Sequence, residues 1–403
     1  MPSHRTHLRV MFESTKEQVT AFVGSNFGGR APRGLPSLPP VTRLSPTVTR
    51  VLGGNPSAFT LQGTNSYLIG TGPTRWLLDT GEGKPVFVEN LRVAMRAEGV
   101  TSLEGILLTH WHLDHVGGVG DVRKLVRELN QELKGKEGGS GDKQYTPLLA
   151  YKHVRHGNGE REVDVDGMTD AKSAESHRSY VHITDGQIFD SVPGVTLRAV
   201  FTPGHSEDHY CFVHEEEGSI FAGDCVLNGN TAVFEDLSLY SKSLEVMREE
   251  LENCVAESRN AGKSGQSISA RKPPPGFLYP SHGEAVTDGV KKLAQYAKHR
   301  ETRERMFVDA LVGDWRSNPE RCGMTKAQLT KTVYGNSVNW LILKTACEGI
   351  CGQHLTKLAE EGRVVEEKKT RWGLEWLEEK VSAALGLLET KYRPSAAEMR
   401  DTR

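Results

Sequence analysis

The chain has 403 residues, enough for one large domain and a smaller one, and its 50 Lys and Arg against 52 Asp and Glu give a formal net charge of −2. The chain as a whole has no basic excess that would indicate a polyanion partner, which leaves local basic patches open, and no apolar run reaches the roughly 18 residues that a membrane-spanning helix needs. Six cysteines scattered over this length indicate a reducing compartment rather than a disulfide framework.

The first 50 residues carry seven basic and two acidic side chains and include the Pro-rich stretch "GLPSLPP". A flexible segment has this composition, and a mitochondrial presequence would show the same basic bias. We therefore expect residues 1–44 to be a flexible extension of a soluble cytoplasmic protein, with a mitochondrial location as the alternative.

Residues 45–290 alternate short β-branched and aromatic runs with helical segments. The stretch "VTRVLGGNPSAFTLQGTNSYLIGTGPTRWLLDTGEG" predicts antiparallel strands, "GKPVFVENLRVAMRAEGV" a helix, and "SLEGILLTH" a buried strand. Strands return in "VTLRAVFTPGHS", "HYCFVHEE", "GSIFAGDCVL" and "FLYPSHGEAV", with a helix around "SLEVMREELENC". This interleaving predicts a layered α/β or α+β domain. Polar segments near 131–148 and 257–275 are expected to be surface insertions without regular structure.

Residues 291–385 change to a helical pattern that opens with the long amphipathic "VKKLAQYAKHRETRERMFVDALV". Two shorter helices, "MTKAQLTKTVYG" and "ILKTACEGICGQHLTKLAEEGRVVEE", are followed by a strand, a turn and a strand at "TRWGLEW". This order predicts a winged helix, with residues 386–403 as a polar tail. Cys347 and Cys351 lie four apart on one helix face, so we expect buried thiols rather than metal ligands.

The segment "LLTHWHLDHVGGVGD" places four residues that can ligate a metal within six positions at the end of a buried strand. They are His110, His112, Asp114 and His115. Packing does not account for them, because each buried imidazole or carboxylate would need its own hydrogen-bond partner, whereas a metal ion serves several. His110 and His112 alternate along an extended segment and the other two lie just past it, so two pairs can point at two adjacent ions.

Three further candidates follow apolar runs and stand beside small residues that let the backbone approach an ion. They are His205 in "FTPGHSEDH", Asp224 in "FAGDCVL" and His282 in "LYPSHGEAV".

The pattern H-x-H-x-D-H, followed in order by these three residues, resembles the metallo-β-lactamase superfamily over nearly all of residues 45–380. With a winged helix after it, the chain resembles the branch that contains fungal polyketide-releasing thioesterases and lactamase-like endoribonucleases. The resemblance implies an α+β fold, an αβ/βα four-layer sandwich with a C-terminal winged-helix domain, and two zinc ions. It places one ion on His110, His112 and His205. It places the other on Asp114, His115 and His282, with Asp224 bridging the two.

Two adjacent metal ions lower the pKa of a bridging water towards neutrality, so we expect a metal-bridging hydroxide to be the nucleophile. Asp114 is the expected catalytic residue, which orients that hydroxide and passes a proton on. For Asp79 the resemblance implies a buried acid bracing the ligand loop, and a turn-capping role is the alternative. Asp208 and His209 are expected at the surface or in support of the ligands. Thr64 and Asn65 either face the site or serve a hairpin.

The metal site alone does not choose between a thioester and a phosphodiester. Residues 300–380 contain 14 Lys and Arg against 13 Asp and Glu, a weak basic excess for a nucleic-acid surface. The stretches "NPSAFTLQGTN", "DTGEG", "TLRAV" and "CFVHEEE" resemble the fungal thioesterases, while "GDC" and "FEDL" resemble the endoribonucleases. We therefore expect a thioesterase that releases an acyl or polyketide chain from an acyl carrier protein.

The alternative activity is endonucleolytic cleavage of single-stranded RNA. The expected partner is an acyl carrier protein or its polyketide synthase, with RNA as the alternative, a homodimer as a further state, and no membrane. Zinc is the default metal for His and Asp ligands, although manganese and iron use such ligands too.

Overall fold

The structure, a computed structural model, describes most of the chain as two compact units, one ending at Tyr296 and the other beginning at Ala297. The described residues are 34–137, 147–163, 178–263, 273–317, 323–335, 343–369 and 389–395. Most of the expected N-terminal extension, and residues 138–146 and 264–272 of the expected insertions, lie outside these ranges. Within them, no helix is long and apolar enough to cross a bilayer.

The first sheet has eight strands in the order β1-β2-β3-β4-β5-β6-β8-β7. The strands are β1 Val41–Arg43, β2 Val48–Leu52, β3 Asn65–Ile69, β4 Thr74–Leu78, β5 Ser102–Leu107, β6 Ala150–Lys152, β7 Arg161–Glu162 and β8 Ser179–His182. Strands β1 to β4 pair antiparallel, as predicted, and the pairs from β4 onward are parallel. Because β1 pairs with β2, the predicted extension is wrong for residues 41–43.

The second sheet has five strands in the order β13-β12-β11-β10-β9. They are β9 Ile188–Phe189, β10 Leu197–Phe201, β11 Tyr210–His214, β12 Ser219–Gly223 and β13 Leu278–Pro280. Strand β11 is antiparallel to both β10 and β12, and β13 is parallel to β12. Strands β10, β12 and β13 therefore run in one direction, so their carboxyl ends meet at the same edge of the sheet.

In the described part of the chain, five helices lie between or after these strands; the first, fourth and fifth were predicted, and the second and third were not. They are α1 Pro85–Ala97, α2 Leu113–Val116, α3 Val119–Glu137, α4 Leu237–Lys263 and α5 Gly289–Ser317. Helices α3 and α4 continue into the segments expected to be insertions, so that prediction is wrong for residues 131–137 and 257–263. Glu, Gln and Lys, which made these segments look like surface loops, are also good helix formers, so polarity alone did not end either helix.

The outer face of the first sheet is covered by α1 and α3. Phe87 from α1 and Val122 from α3 pack with Leu77 and Ile106 of the sheet in one buried cluster. This cover explains why β2 and β3 are buried along their whole length and do not alternate between apolar and polar residues.

The two sheets pack against each other through aromatic side chains. The ring of Tyr67 on β3 meets Phe221 on β12 and Tyr279 on β13 edge-on, with centroids 5.1 and 5.6 Å away. On the far side of the second sheet, Met247 of α4 and Leu293 of α5 close another buried cluster. The order is helix, sheet, sheet, helix, which confirms the predicted αβ/βα four-layer sandwich.

The second unit has the predicted winged-helix order. Its elements after α5 are β14 Met324–Thr325, α6 Lys326–Tyr334, a π-helical turn Leu343–Cys347, α7 Glu348–Glu360, β15 Val364–Lys369 and β16 Glu389–Pro394. Thr325 caps α6 by accepting from the backbone N–H of Gln328, whose side chain accepts in return from the Thr325 N–H.

The three-stranded sheet of this unit places β16 between β14 and β15. The predicted polar tail 386–403 is therefore wrong for residues 389–394. These residues are mostly polar and were therefore predicted to be a tail. A strand in a small hairpin needs few apolar side chains, so their polarity did not exclude a strand. The predicted strand "TRWGLEW" lies outside the described residues.

A histidine lies in the apolar core of this unit. His354 on α7 is fully buried, with its ring 5.2 Å from that of Phe307, and neither ring nitrogen has a hydrogen-bond partner among the described residues. Burial holds the pKa of His354 well below its usual value, and nearby Arg300, Arg303, Lys357 and His299 lower it further. Cys347 and Cys351 are buried free thiols, as predicted.

This burial predicts a stability that declines in acid. Below the ordinary histidine pKa the unfolded chain binds a proton that folded His354 rejects, so the free energy of unfolding falls as pH drops below about 6.5. The variant His354→Leu is expected to gain on the wild type by up to about 1.4 kcal/mol per pH unit below that point. Denaturant unfolding at several pH values, with the exposed His156→Gln as control, measures this difference. An identical pH dependence in His354→Leu and wild type contradicts the prediction.

Candidate metal centre

The loop after β5 carries four of the seven predicted ligands. His110 and His112 lie between β5 and α2, and Asp114 and His115 lie in the single turn of α2. The loop passes close to the segment after β4: a Cβ added at Gly118 would lie 2.1 Å from the carbonyl oxygen of Thr80. Gly117 and Gly118 therefore allow a close backbone approach that any side chain would block.

Three imidazoles converge on one point. His110 Nε2 lies 2.8 Å from His112 Nδ1, and His205 Nε2 lies 3.2 and 3.0 Å from these two atoms. The other nitrogen of His205, Nδ1, is 2.7 Å from the backbone oxygen of Val233 and donates to it, which leaves Nε2 free to bind a cation. Together with an oxygen of Asp224, these nitrogens lie within 4.8 Å of one another.

A second group of ligand atoms forms around Asp114. Its Oδ2 lies 3.3 Å from His115 Nε2 and 3.3 Å from His282 Nε2. The same oxygen accepts from the Thr64 hydroxyl at 3.2 Å, so this threonine faces the site. The three ligand atoms lie within 4.8 Å of one another.

Asp224 lies between the two groups. Its Oδ1 is 3.2 Å from His282 Nε2 and 3.6 Å from His115 Nε2, while Oδ2 is 3.7 Å from His205 Nε2. One carboxylate therefore faces both sets of ligands, which is the arrangement that a bridging role requires. All seven sequence-predicted ligands are brought together.

The protonation states of His110, His112 and Asp114 favour binding of a metal cation. Burial lowers the pKa of His112 to about 4, with neighbouring His205 adding to the effect, and burial also holds that of His110 well below its usual value. These imidazoles are neutral, the form that binds metal. Burial opposes ionisation of Asp114, yet the His115 imidazole beside it holds the Asp114 pKa well below its usual range.

The carboxylates of Asp114 and Asp224 raise the pKa of a histidine in the second ligand group. Although burial disfavours the charged form of His282, Asp224 and Asp114 raise its pKa to about 9. His115 Nε2 and Asp224 Oδ1 are buried with no hydrogen-bond partner in the part of the chain that the structure describes. Two polar atoms without hydrogen bonds, the neutral imidazoles of His110 and His112, and carboxylates that draw positive charge to His282 together fit two divalent cations.

Asp79 supports this site from β4. Its Oδ2 accepts from His115 Nδ1 at 2.8 Å, and its Oδ1 accepts from the backbone N–H of Thr109 at 2.9 Å. The Ser281 hydroxyl donates to Oδ2 at 3.4 Å, so the serine beside His282 also belongs to this support. Asp79 thus both braces a ligand and holds the backbone of the ligand loop.

His209 is fully buried and supports Asp224 through a hydrogen bond to its backbone. Its Nε2 accepts from the Asp224 N–H at 3.2 Å, and its Nδ1 lies 2.8 Å from the Thr202 hydroxyl. A Cβ at Gly223 would lie 2.3 Å from His209 Nε2, so the glycine beside Asp224 makes room for this ring. The supporting role expected for His209 therefore fits the geometry, and the surface alternative does not.

Asn65 and Lys152 complete the surroundings. The Asn65 side chain donates to the carbonyl oxygens of Pro280 and Gly283, both at 2.8 Å, so it holds the His282 loop rather than facing the ligands. Lys152 is fully buried and pairs with Asp208 at 2.6 Å. The sequence analysis missed Lys152, although a lysine ending the apolar run "PLLAYK" was a signal that a buried anion lay nearby.

Comparisons with known proteins agree with this architecture. A family model described as Metallo-beta-lactamase superfamily matches residues 59–288, and one described as Beta-lactamase associated winged helix domain matches residues 325–372. The Lactamase-like protein vrtG of Penicillium aethiopicum is 37% identical over 342 residues, which cover 84% of this chain and 91% of that protein.

Two further comparisons bear on activity and fold. The Atrochrysone carboxyl ACP thioesterase of Aspergillus chevalieri is 35% identical over 333 residues, covering 83% of this chain and 87% of that protein. A solved beta-lactamase domain protein from Burkholderia ambifaria superposes with a TM-score of 0.54 at 17% identity, over 92% of this chain and 97% of that one, and shows the shared fold. The chain is therefore a metal-dependent hydrolase that belongs to the metallo-β-lactamase superfamily and carries a β-lactamase-associated winged-helix domain.

Proposed function

We propose that the protein is a dinuclear zinc thioesterase that releases an acyl or polyketide chain from an acyl carrier protein. The observation that carries this proposal is the pair of adjacent ligand groups with Asp224 between them. The thioester substrate and the carrier-protein partner are supported by the relative named as an ACP thioesterase, which matches most of the chain.

The residues divide the work as follows. His110, His112 and His205 would hold one ion, His115 and His282 with Asp114 the other, and Asp224 both. When bound, two zinc ions would supply an activated water and polarise the thioester carbonyl. Asp114 is ionised beside its two histidines, so one oxygen of its carboxylate would hold the ion, while the other would accept the proton of the attacking water and return it to the departing thiolate sulfur.

Exposed apolar side chains border the site. Leu113, 63% exposed, stands between His112 and Asp114, and Val233, 46% exposed, receives the His205 hydrogen bond on its backbone oxygen. Such side chains offer contact area to an acyl chain, whereas a phosphate-tracking surface would present Lys and Arg. This feature favours the thioester over the RNA substrate.

Replacing Leu113 is expected to change the preference for acyl length. In Leu113→Ser, kcat/KM for a long-chain or aromatic acyl thioester should fall about tenfold, since burying a leucine side chain contributes roughly 1.5–3 kcal/mol. The value for an acetyl thioester should change little. Steady-state kinetics with a series of acyl thioesters measures this, and the exposed Val93→Ser on α1 is the matched control. An equal fall for short and long chains would argue against acyl contact.

Parallel assays on two substrates test the proposed activity. The zinc-loaded protein is incubated with an acyl chain on an acyl carrier protein and, separately, with single-stranded RNA. Release of the free acid with RNA left intact is expected. Cleavage of RNA with an inert thioester would replace the proposal by the endoribonuclease alternative.

A further inference from the structure

Lys152 at the end of β6 is fully buried and belongs to an ionic cluster beside the His205 loop. Its Nζ donates to Asp208 Oδ2 at 2.6 Å, to Glu160 Oε2 at 2.9 Å and to the backbone oxygen of His153 at 2.7 Å. The three donors of the ammonium are thereby all used. Asp208 accepts on its other oxygen from Ser206 at 2.8 Å, so this cation anchors the loop that carries His205.

Glu160 joins this lysine to a second cation, Arg155. Glu160 Oε1 accepts from both Nε and Nη2 of Arg155 at 3.2 Å, and Oε2 accepts from the Arg155 backbone N–H at 2.8 Å. The guanidinium in turn lies 4.3 Å from the centre of the Trp111 ring. Trp111 stands between His110 and His112, and its ring centre is 4.5 Å from that of His112.

The cluster therefore connects both loops that supply the three-histidine group. One arm runs from Glu160 through Lys152 to Asp208, three residues past His205. The other arm runs through Arg155 to Trp111. None of the four charged residues is a ligand, and each cation has a buried anion beside it, so the cluster can be kept without a metal ion.

We propose that Arg155 and Lys152, tied together by Glu160, are positioning residues that hold the His205 loop and the His110–His112 loop at the spacing that one metal ion needs. This inference rests on the metal-binding part of the proposed function. Residues behind metal ligands commonly set affinity by fixing ligand orientation, and their loss costs about 10–100-fold in metal binding. Arg155 is suited to this task because a flat guanidinium can stack on an indole and bind a carboxylate with two N–H groups at once.

Zinc binding by the full-length chain tests the proposal. Metal-free wild type, Arg155→Met, Arg155→Lys and the control Arg198→Met are titrated with zinc in competition with a chromogenic chelator, which resolves the tight and weak sites. Arg198 is a matched control because it also pairs with two glutamates, Glu215 at 2.7 Å and Glu250 at 2.8 Å, while contacting neither ligand loop. Thermal unfolding of each metal-free variant is recorded alongside, and the visible absorption of the cobalt-loaded proteins reports the ligand geometry.

The expected result is a loss of roughly 10–100-fold in zinc affinity at one of the two sites for Arg155→Met. The cobalt spectrum of this variant should change, while Arg198→Met keeps the wild-type affinity and spectrum whatever its melting temperature. Should Arg155→Met fail to fold, Arg155→Lys decides, and about a tenfold loss is expected since an ammonium cannot stack flat on Trp111. An Arg155 variant that binds zinc like the wild type, or a control that loses as much, overturns this inference alone. A wild type that binds no zinc overturns the proposed function as well.

Discussion

Replacing Asp114 by alanine is expected to lower kcat for thioester hydrolysis by roughly 10²–10⁴-fold, the usual contribution of a positioned acid–base group. Asp114 contacts His115 and His282 at 3.3 Å and accepts from Thr64, so the change removes both a ligand oxygen and the proton acceptor. The side chain is not part of the apolar core, and the variant should remain folded.

Steady-state kinetics and circular dichroism of Asp114→Ala, compared with wild type, check this expectation. The control Asp190→Ala, which removes an exposed carboxylate that belongs to neither ligand group, should retain full activity. Near-normal turnover by Asp114→Ala at full zinc loading is incompatible with the role given to this residue.

The second large effect is expected on stability. In Asp79→Ala the buried His115 Nδ1 and the Thr109 N–H both lose their acceptor. Breaking a buried pair by removing one partner costs about 3–5 kcal/mol, and the metal-free protein should lose stability in that range. Zinc affinity should fall as well, since His115 is no longer held in one orientation.

Denaturant unfolding of the metal-free protein measures the loss. Asp185→Ala is the control, because Asp185 also accepts a backbone N–H, that of Phe201 at 2.8 Å, but at an exposed position. The control should lose no more than about 1 kcal/mol. Equal losses in the two variants would mean that the buried contact of Asp79 with His115 contributes no more to the free energy of unfolding than an exposed hydrogen bond does.

The ligands were predictable from the sequence because they break the local pattern. His110, His205, Asp224 and His282 are polar residues placed directly after apolar strands, where a core would otherwise continue. The alternation of strands and helices predicted a layered α/β or α+β domain, and the resemblance to the metallo-β-lactamase superfamily implied its four-layer form. The sequence also showed small residues beside the ligands. The clashes that a Cβ would make at Gly118 and Gly223 explain why these positions need glycine.

The ionic cluster around Lys152 could not be predicted from the sequence. Lys152 and Asp208 are 56 residues apart, and no local pattern says which carboxylate a buried lysine will meet. The continuation of α3 to residue 137 and of α4 to residue 263 was missed because polar residues are common in helices as well as in loops. Strand β16 was missed since its partner strand, not its own apolarity, makes it a strand.

The most direct test of the central claim is to titrate the metal-free protein with zinc while following hydrolysis of an acyl thioester. The two ligand groups joined by Asp224 predict no turnover without metal, a rise as zinc is added, and a plateau at about two zinc ions per chain, as two adjacent ligand sets require. Full turnover by the metal-free chain, or an inert protein with both sites filled, would contradict the proposal that this chain is a dinuclear zinc thioesterase.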